Sequence, residues 1–190
     1  LVSGGHCQLL ICEGVGRFTR IGTTIDDAAG EAFDKTAKLL GLGFPGGPAI
    51  ERAAVSGNAK RHRFARPLLD ADGYDFSFSG LKTAVRRAAE AADLNAQAVS
   101  DIAASFQAAA VEVLVERAKK AMRAMGRRGW RDLRLVVAGG VAANGSLNRS
   151  LVQAAQDEGF ELTIPPARLC TDNGAMVAWA GRERLSLGLV

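Results

Sequence analysis

The stretch "LRLVVAGGVAANGSLNRSLVQAAQDEGFELTIP" (133–165) decides the fold class. "LRLVVAG" is apolar apart from Arg134 and reads as a strand. "NGSLNRSLVQAAQDEG" has helical spacing, and "FELTIP" reads as a second strand. Strand, helix and strand in that order indicate a parallel βαβ unit, because parallel strands need a long crossover. A further helix is expected from Asp172 to Leu187. Upstream, "SDIAASFQAAAVEVLVERAKKAMRAM" (100–125) is the longest expected helix. Ile102, Phe106, Val113 and Met125 recur on it near helical spacing, and Ser100 or Asp101 can cap it.

The first half reads differently. "CQLLIC" (7–12) and "RFTRIGTTI" (17–25) are strand-like and joined by a short turn. With the opening "LV" they predict three consecutive antiparallel strands. A helix is expected over 26–41, with Asp26 and Asp27 at its positive end and Phe33, Ala37 and Leu40 on one face. "FPGGP" (44–48) reads as a loop, Ala49 to Val55 as a short helix, "YDFSFS" (74–79) as a short strand and "GLKTAVRRAAEAA" (80–92) as a helix. The sum is an α/β chain with a mixed sheet flanked by helices.

Composition narrows the class. The chain has 190 residues, 48% hydrophobic and 23% charged, as in an ordinary globular domain. No uninterrupted apolar run reaches the length of a membrane span, and no signal-peptide pattern occurs, so the cytoplasm is the expected compartment. Cys7, Cys12 and Cys170 are odd in number and form no CxxC, so three reduced thiols are expected. The net charge of +4 is concentrated locally. Residues 115–134 carry eight Lys/Arg against two acids, and "GNAKRHRFARP" (57–67) carries four with no acid. Such runs are either solvated faces or phosphate contacts. The start at "LVSGGH", without Met and already at a strand end, suggests a fragment of a longer protein.

Glycine pairs stand at Gly4–Gly5, Gly46–Gly47 and Gly139–Gly140. Glycine lets backbone approach a ligand, and consecutive amides form a concave anion site. Neither the first nor the third turn matches a dinucleotide fingerprint or a P-loop. Together the three can wall a nucleotide cleft. Asp27, Glu31, Asp34 and Lys38 share one helix face. That face is either a solvated charged surface or a source of a carboxylate for ribose. Asn144 is either a helix cap, a ligand contact, or both.

Five blocks then carry a specific resemblance: "LVSGGHCQL", "IDDAAGEAFDKTAKLLGLGFPGGP", "DFSFSGLKTAV", "VVAGGVAANGSLN" and "LCTDNGAMVAWAG". In this order they resemble the tRNA N6-adenosine threonylcarbamoyltransferases, once labelled glycoproteases or O-sialoglycoprotein endopeptidases. The resemblance implies the actin/Hsp70/sugar-kinase fold (ASKHA). On that reading residues 1–190 are its second, C-terminal lobe with a helical insert at about 42–100. A first lobe upstream and a short tail downstream are implied.

The resemblance also implies site roles. The turn Leu1, Val2, Ser3, Gly4 and Gly5 resembles the one on the phosphate side of the substrate. Asp34, Gly47 and Asn144 match nucleoside-binding positions, and Asp172 matches a metal ligand. The other metal ligands implied are two histidines of an HxxxH helix, which His6 and His62 do not form. Asp172 here is therefore one ligand of a divalent Fe(II) or Zn(II) centre, or simply a helix cap. The nucleotide implied is threonylcarbamoyl-adenylate, with ATP and AMP as related ligands.

The implied reaction moves a threonylcarbamoyl group to the exocyclic amine of the tRNA adenosine 3′ of the anticodon, position 37. The implied partners are tRNA, a related pseudo-enzyme subunit and a small ATPase, with no membrane. Candidate tRNA contacts are Lys60, Arg61, Arg63, Arg66, Lys119, Lys120, Arg123, Arg127 and Arg128. An ATPase or small-molecule kinase of the same superfold, and a partner-binding scaffold, are the rival readings. No Ser/His/Asp or Cys/His arrangement supports a protease. "DFSFSGLK" (75–82) has no evident chemistry, and core packing or a lobe interface is its expected role.

Overall fold

The computed structural model describes residues 1–130 and 132–189. Strands β1 (Gln8–Gly14) and β2 (Arg17–Thr23) form an antiparallel hairpin. Helices α1 (Ala29–Leu39), α2 (Gly46–Ala54), α3 (Ser79–Ala91) and α4 (Ala96–Arg127) follow. Then come β3 (Arg134–Val136), α5 (Gly145–Asp157), β4 (Glu161–Thr163) and α6 (Gly174–Ser186). Two 3-10 turns, Gly140–Ala143 and Ala167–Leu169, precede α5 and α6. Strands β3 and β4 pair in parallel, Arg134 beside Glu161 and Val136 beside Thr163, with α5 as the crossover. The α/β class and the βαβ unit stand as the pattern predicts.

The expected three-stranded opening is reduced to brief pairing: Leu1 and Gln8 exchange hydrogen bonds at 2.9 Å, but no third strand is formed. Val2 makes one isolated antiparallel bridge with Cys7, and the strands lie in two separate two-stranded sheets. Val2 nevertheless joins the two sheets. Its N–H donates to the Ala138 carbonyl (2.8 Å) and its carbonyl accepts from Val141 (3.1 Å). The strand expected at 74–79 is likewise a single bridge, Thr24 to Phe76.

Three helix starts also differ from expectation, and α1 begins at Ala29 rather than Asp26. Helix α2 begins at Gly46, inside the expected loop, because the Asp34 carboxylate accepts the Gly46 N–H at 2.7 Å. Pro48 falls in the first turn, where its missing N–H costs little. Helix α4 begins at Ala96 rather than 100, capped by Asn95, whose Oδ1 accepts from Ala98 at 2.9 Å. Asp101 instead takes the N–H of Asn58 at 2.8 Å.

Helix α4 is the centre of the core. Ile102, Phe106, Val113 and Met122 are buried, and Met125 is only half-buried. Phe106 meets Phe33 of α1 edge to face, with ring centroids 5.0 Å apart. Phe33, Ala37 and Leu40 are buried as their spacing predicts. By length and composition α4 could cross a membrane, with a mean hydropathy of 1.5 over its most apolar window. A search for uninterrupted apolar runs passes over it. Most of that window is buried among the other elements, as for a core helix. Helix α6 is the opposite case: none of its residues is buried.

Candidate functional site

The glycine turns and their neighbours form a closed circuit of contacts. Burial of Phe33 and Ala37 fixes α1, and Asp34 then reaches the first N–H of α2. This sets Gly46 against Asp34, with Gly47 next along α2. One turn further along α2, Glu51 Oε1 accepts the N–H of Gly145 at 2.8 Å, the first residue of α5. Asn144 caps α5: its Oδ1 accepts from Leu147 and its Nδ2 donates to Gln107, both at 2.9 Å. The preceding turn bonds Val2 through Val141, and the Ser3 carbonyl accepts the Gly30 N–H at 3.1 Å, back on α1. Leu1 to Gly5, Asp34, Gly47 and Asn144 thus lie on one continuous path.

The path needs close backbone approaches. A Cβ on Gly30 would stand 2.7 Å from the Gly4 Cα, so any side chain there pushes the opening turn off α1. Gly139 has φ of +107°, and a Cβ on it would stand 2.3 Å from the Val2 carbonyl oxygen. Gly4, Gly5, Gly47 and Gly140 face open space. Among the described residues their N–H groups have no hydrogen-bond partner. The first turns of α1, α2 and α5 all belong to the circuit and carry positive partial charge, although the N–H groups of Ala29, Gly30, Gly46, Gly145 and Leu147 are already taken by partners within the chain. Such a setting suits phosphate and hydroxyl oxygens.

Residues that sequence reasoning placed elsewhere or left aside hold this frame. Asp26 lies in a bend before α1 and caps α3 instead of α1. Its carboxylate accepts from the Ser77 and Ser79 hydroxyls and from the N–H groups of Phe78 (2.8 Å) and Ser79 (3.3 Å). Burial opposes its ionisation, but these hydrogen bonds outweigh it and hold the carboxyl below the usual range. The "DFSFS" block therefore has a definite role: Phe76 and Phe78 fill the core while its serines bind Asp26. Glu51 and Gln107 were also overlooked. The available signal for Glu51 was its place one helical turn after Gly47.

Asp172 is exposed and does not cap α6. Asn173 does, its Oδ1 accepting from Met176 at 3.0 Å. The cap alternative for Asp172 is thereby removed, because the neighbouring amide already takes that N–H. Buried Cys170 anchors the segment, and the 3-10 turn before it packs against the one preceding α5. Among the described residues no three His, Cys, Asp or Glu side chains cluster as a metal site. His6 closes a turn on Ser3, and His62 stacks on Phe64. All three cysteines are free, with Cys7 and Cys170 buried and Cys12 exposed.

The expected basic contacts divide. Arg66 pairs with Glu112, Lys119 with Glu116 and Arg123 with Glu158, while Lys120 donates to the Ala71 carbonyl. Lys60, Arg61, Arg63, Arg127 and Arg128 are exposed. Arg131, in the same basic run, lies outside the described residues.

The open amides of Gly4, Gly5, Gly47 and Gly140 thus stand along one path in an α/β chain. The family model of tRNA N6-adenosine threonylcarbamoyltransferases matches residues 1–179, and the chain belongs to that family. It is similar, at 58% identity over all of its length, to a protein of that name from Rhodospirillum rubrum. A namesake from Methylobacterium nodulans is also 58% identical over the whole chain, and one from Paramagnetospirillum magneticum is 54% identical over 99% of it. The chain spans about half the length of these curated relatives, 53% to 55%.

Proposed function

We propose that this chain is the C-terminal, second lobe of an ASKHA-type transferase with a helical insert at about 42–100, the first lobe lying upstream. The reaction is transfer of threonylcarbamoyl from threonylcarbamoyl-adenylate to the exocyclic amine of adenosine 37 in tRNA. One observation carries the reading: the contact circuit brings Leu1–Gly5, Asp34, Gly47 and Asn144 onto one path within a chain of this family. The free amides of Gly4 and Gly5 suit the adenylate phosphate. The second oxygen of Asp34 and the Gly47 N–H are placed for ribose hydroxyls. Glu51 and Asn144 keep α5 in register, so the Gly139–Gly140 turn stays open to the ligand.

Because AMP is a good leaving group, the protein's task is to orient the acyl carbonyl and stabilise developing negative charge there. Asp172, exposed and unused by the α6 cap, fits as the single carboxylate this chain gives a divalent ion, Fe(II) or Zn(II). Bound there, such an ion would supply Lewis acidity. The exposed cations Lys60, Arg61, Arg63, Arg127 and Arg128 are candidate tRNA contacts, and a pseudo-enzyme subunit and a small ATPase are the proposed protein partners. The exposed apolar residues of α6, Met176, Val177 and Trp179, suit coverage by the upstream lobe.

The test uses the full-length protein with those partners, labelled threonine and unmodified tRNA. Incorporation by wild type that collapses in Asp172→Ala, with tRNA binding retained, is expected. ATP turnover by wild type without incorporation would overturn the reading in favour of a kinase or ATPase.

A further inference from the structure

A surface cavity of about 500 Å³ lies between α1 and α3, outside the circuit just described. It is lined by Lys35, Lys38, Leu39, Lys82, Thr83 and Arg86. Every charged residue in that lining is a cation. The floor is otherwise Leu39, the Thr83 methyl and the alkyl stems of the basic side chains, which pack as apolar surface while their heads stay wet.

The acids stand behind the cations. Asp27, largely buried, lies 3.1 Å from the Lys35 ammonium and 2.8 Å from that of Lys82, and Glu31 lies 2.6 Å from Lys35. These pairs hold two ammonium groups at the cavity wall without using them up, since each has three donors. Among the described residues Lys38 has no acidic partner, and Arg86 approaches Glu90 only at 3.7 Å.

We propose that this groove seats backbone phosphates of the RNA substrate, with a nucleoside lying over Leu39 and the alkyl stems. The inference rests on the reading that the substrate is tRNA. Half-exposed cations on long stems suit phosphates that position a nucleic acid, rather than a small anion that needs a closed pocket. Lys38 follows Asp34 by four residues, so the groove begins one helical turn from the circuit. Its open cations are Lys38 and Arg86, whose side chain is 60% exposed, while Lys35 and Lys82 are held at the wall by Asp27 and Glu31.

The test is tRNA binding by the full-length protein across a salt series, wild type beside Lys38→Ala/Arg86→Ala. Affinity should fall about tenfold, and the slope of log affinity against log salt should become shallower by roughly 1 per cation removed. Adenylate binding by calorimetry should not change, and Lys38→Arg/Arg86→Lys should restore the slope. A photocrosslinker at position 38, on an otherwise native protein, should give a tRNA adduct even if the double variant folds poorly.

Unchanged affinity and slope in a folded double variant, or no adduct from position 38, would overturn the proposal while leaving the transferase reading intact. Lost assembly with the protein partners at unchanged tRNA affinity would assign the groove to a protein and overturn it too. A wild type that binds no tRNA would overturn the substrate reading itself.

Discussion

Asp172 and Asn173 show how adjacent residues divide two tasks that sequence alone assigns to either. The Asn173 amide satisfies the Met176 N–H, which leaves the Asp172 carboxylate free at the surface. Asn173→Ala should cost about 1 kcal/mol of stability in denaturant unfolding, the usual loss of an N-cap. Asp172→Ala should leave the unfolding midpoint unchanged and abolish threonine incorporation. An equal stability loss in both variants would show that the carboxylate shares in capping. The Asp172 motif was legible in sequence, whereas its release from the cap depends on the φ/ψ of the turn, which no spacing rule supplies.

At the scale of elements, acids from distant segments tie helix starts together. Asp26 caps α3, Asp34 takes the first N–H of α2 and Glu51 that of α5. The intervals are 52, 12 and 94 residues, beyond the reach of local capping patterns. Sequence reading therefore placed Asp26 and Asp27 at α1 and missed Glu51 altogether.

Asp26→Ala should destabilise the fold by about 1 kcal/mol near neutral pH, judged by cap losses elsewhere. The pH dependence has a definite sign. The folded carboxyls of Asp26 and Asp27 sit below their ordinary value of 3.8. For Asp27, burial again opposes ionisation, while Lys82 and Lys35 favour it more strongly. Their contribution is thus full above that value and is lost as pH falls through the lowered folded values. The gap between wild type and Asp26→Ala should accordingly shrink in acid. A gap constant from neutral pH to pH 2 would refute an ionised cap.

The whole molecule contrasts a buried centre with an uncovered margin. Helix α4 is wrapped by α2, α3 and α5, while α6 leaves Trp179 62% exposed and Val177 66% exposed. In the two-lobe protein proposed above, the upstream lobe should cover this face. Acrylamide should then quench Trp179 strongly in the 190-residue chain and weakly in the full-length protein, with Trp130 replaced by Phe in both. Equal quenching would mean that α6 stays open to solvent.

The sequence by itself determined the α/β class, the βαβ unit, most helices and the glycine turns, because periodicity, glycine and apolar runs act over one or two turns of chain. Tertiary structure alone decided the split into two small sheets, the start of α2 within the "FPGGP" segment and the acid-to-helix ties. It also decided which basic residues remain open. Each of these depends on backbone N–H groups or charges finding partners from remote segments, and their pairing follows from packing around α4 rather than from local pattern.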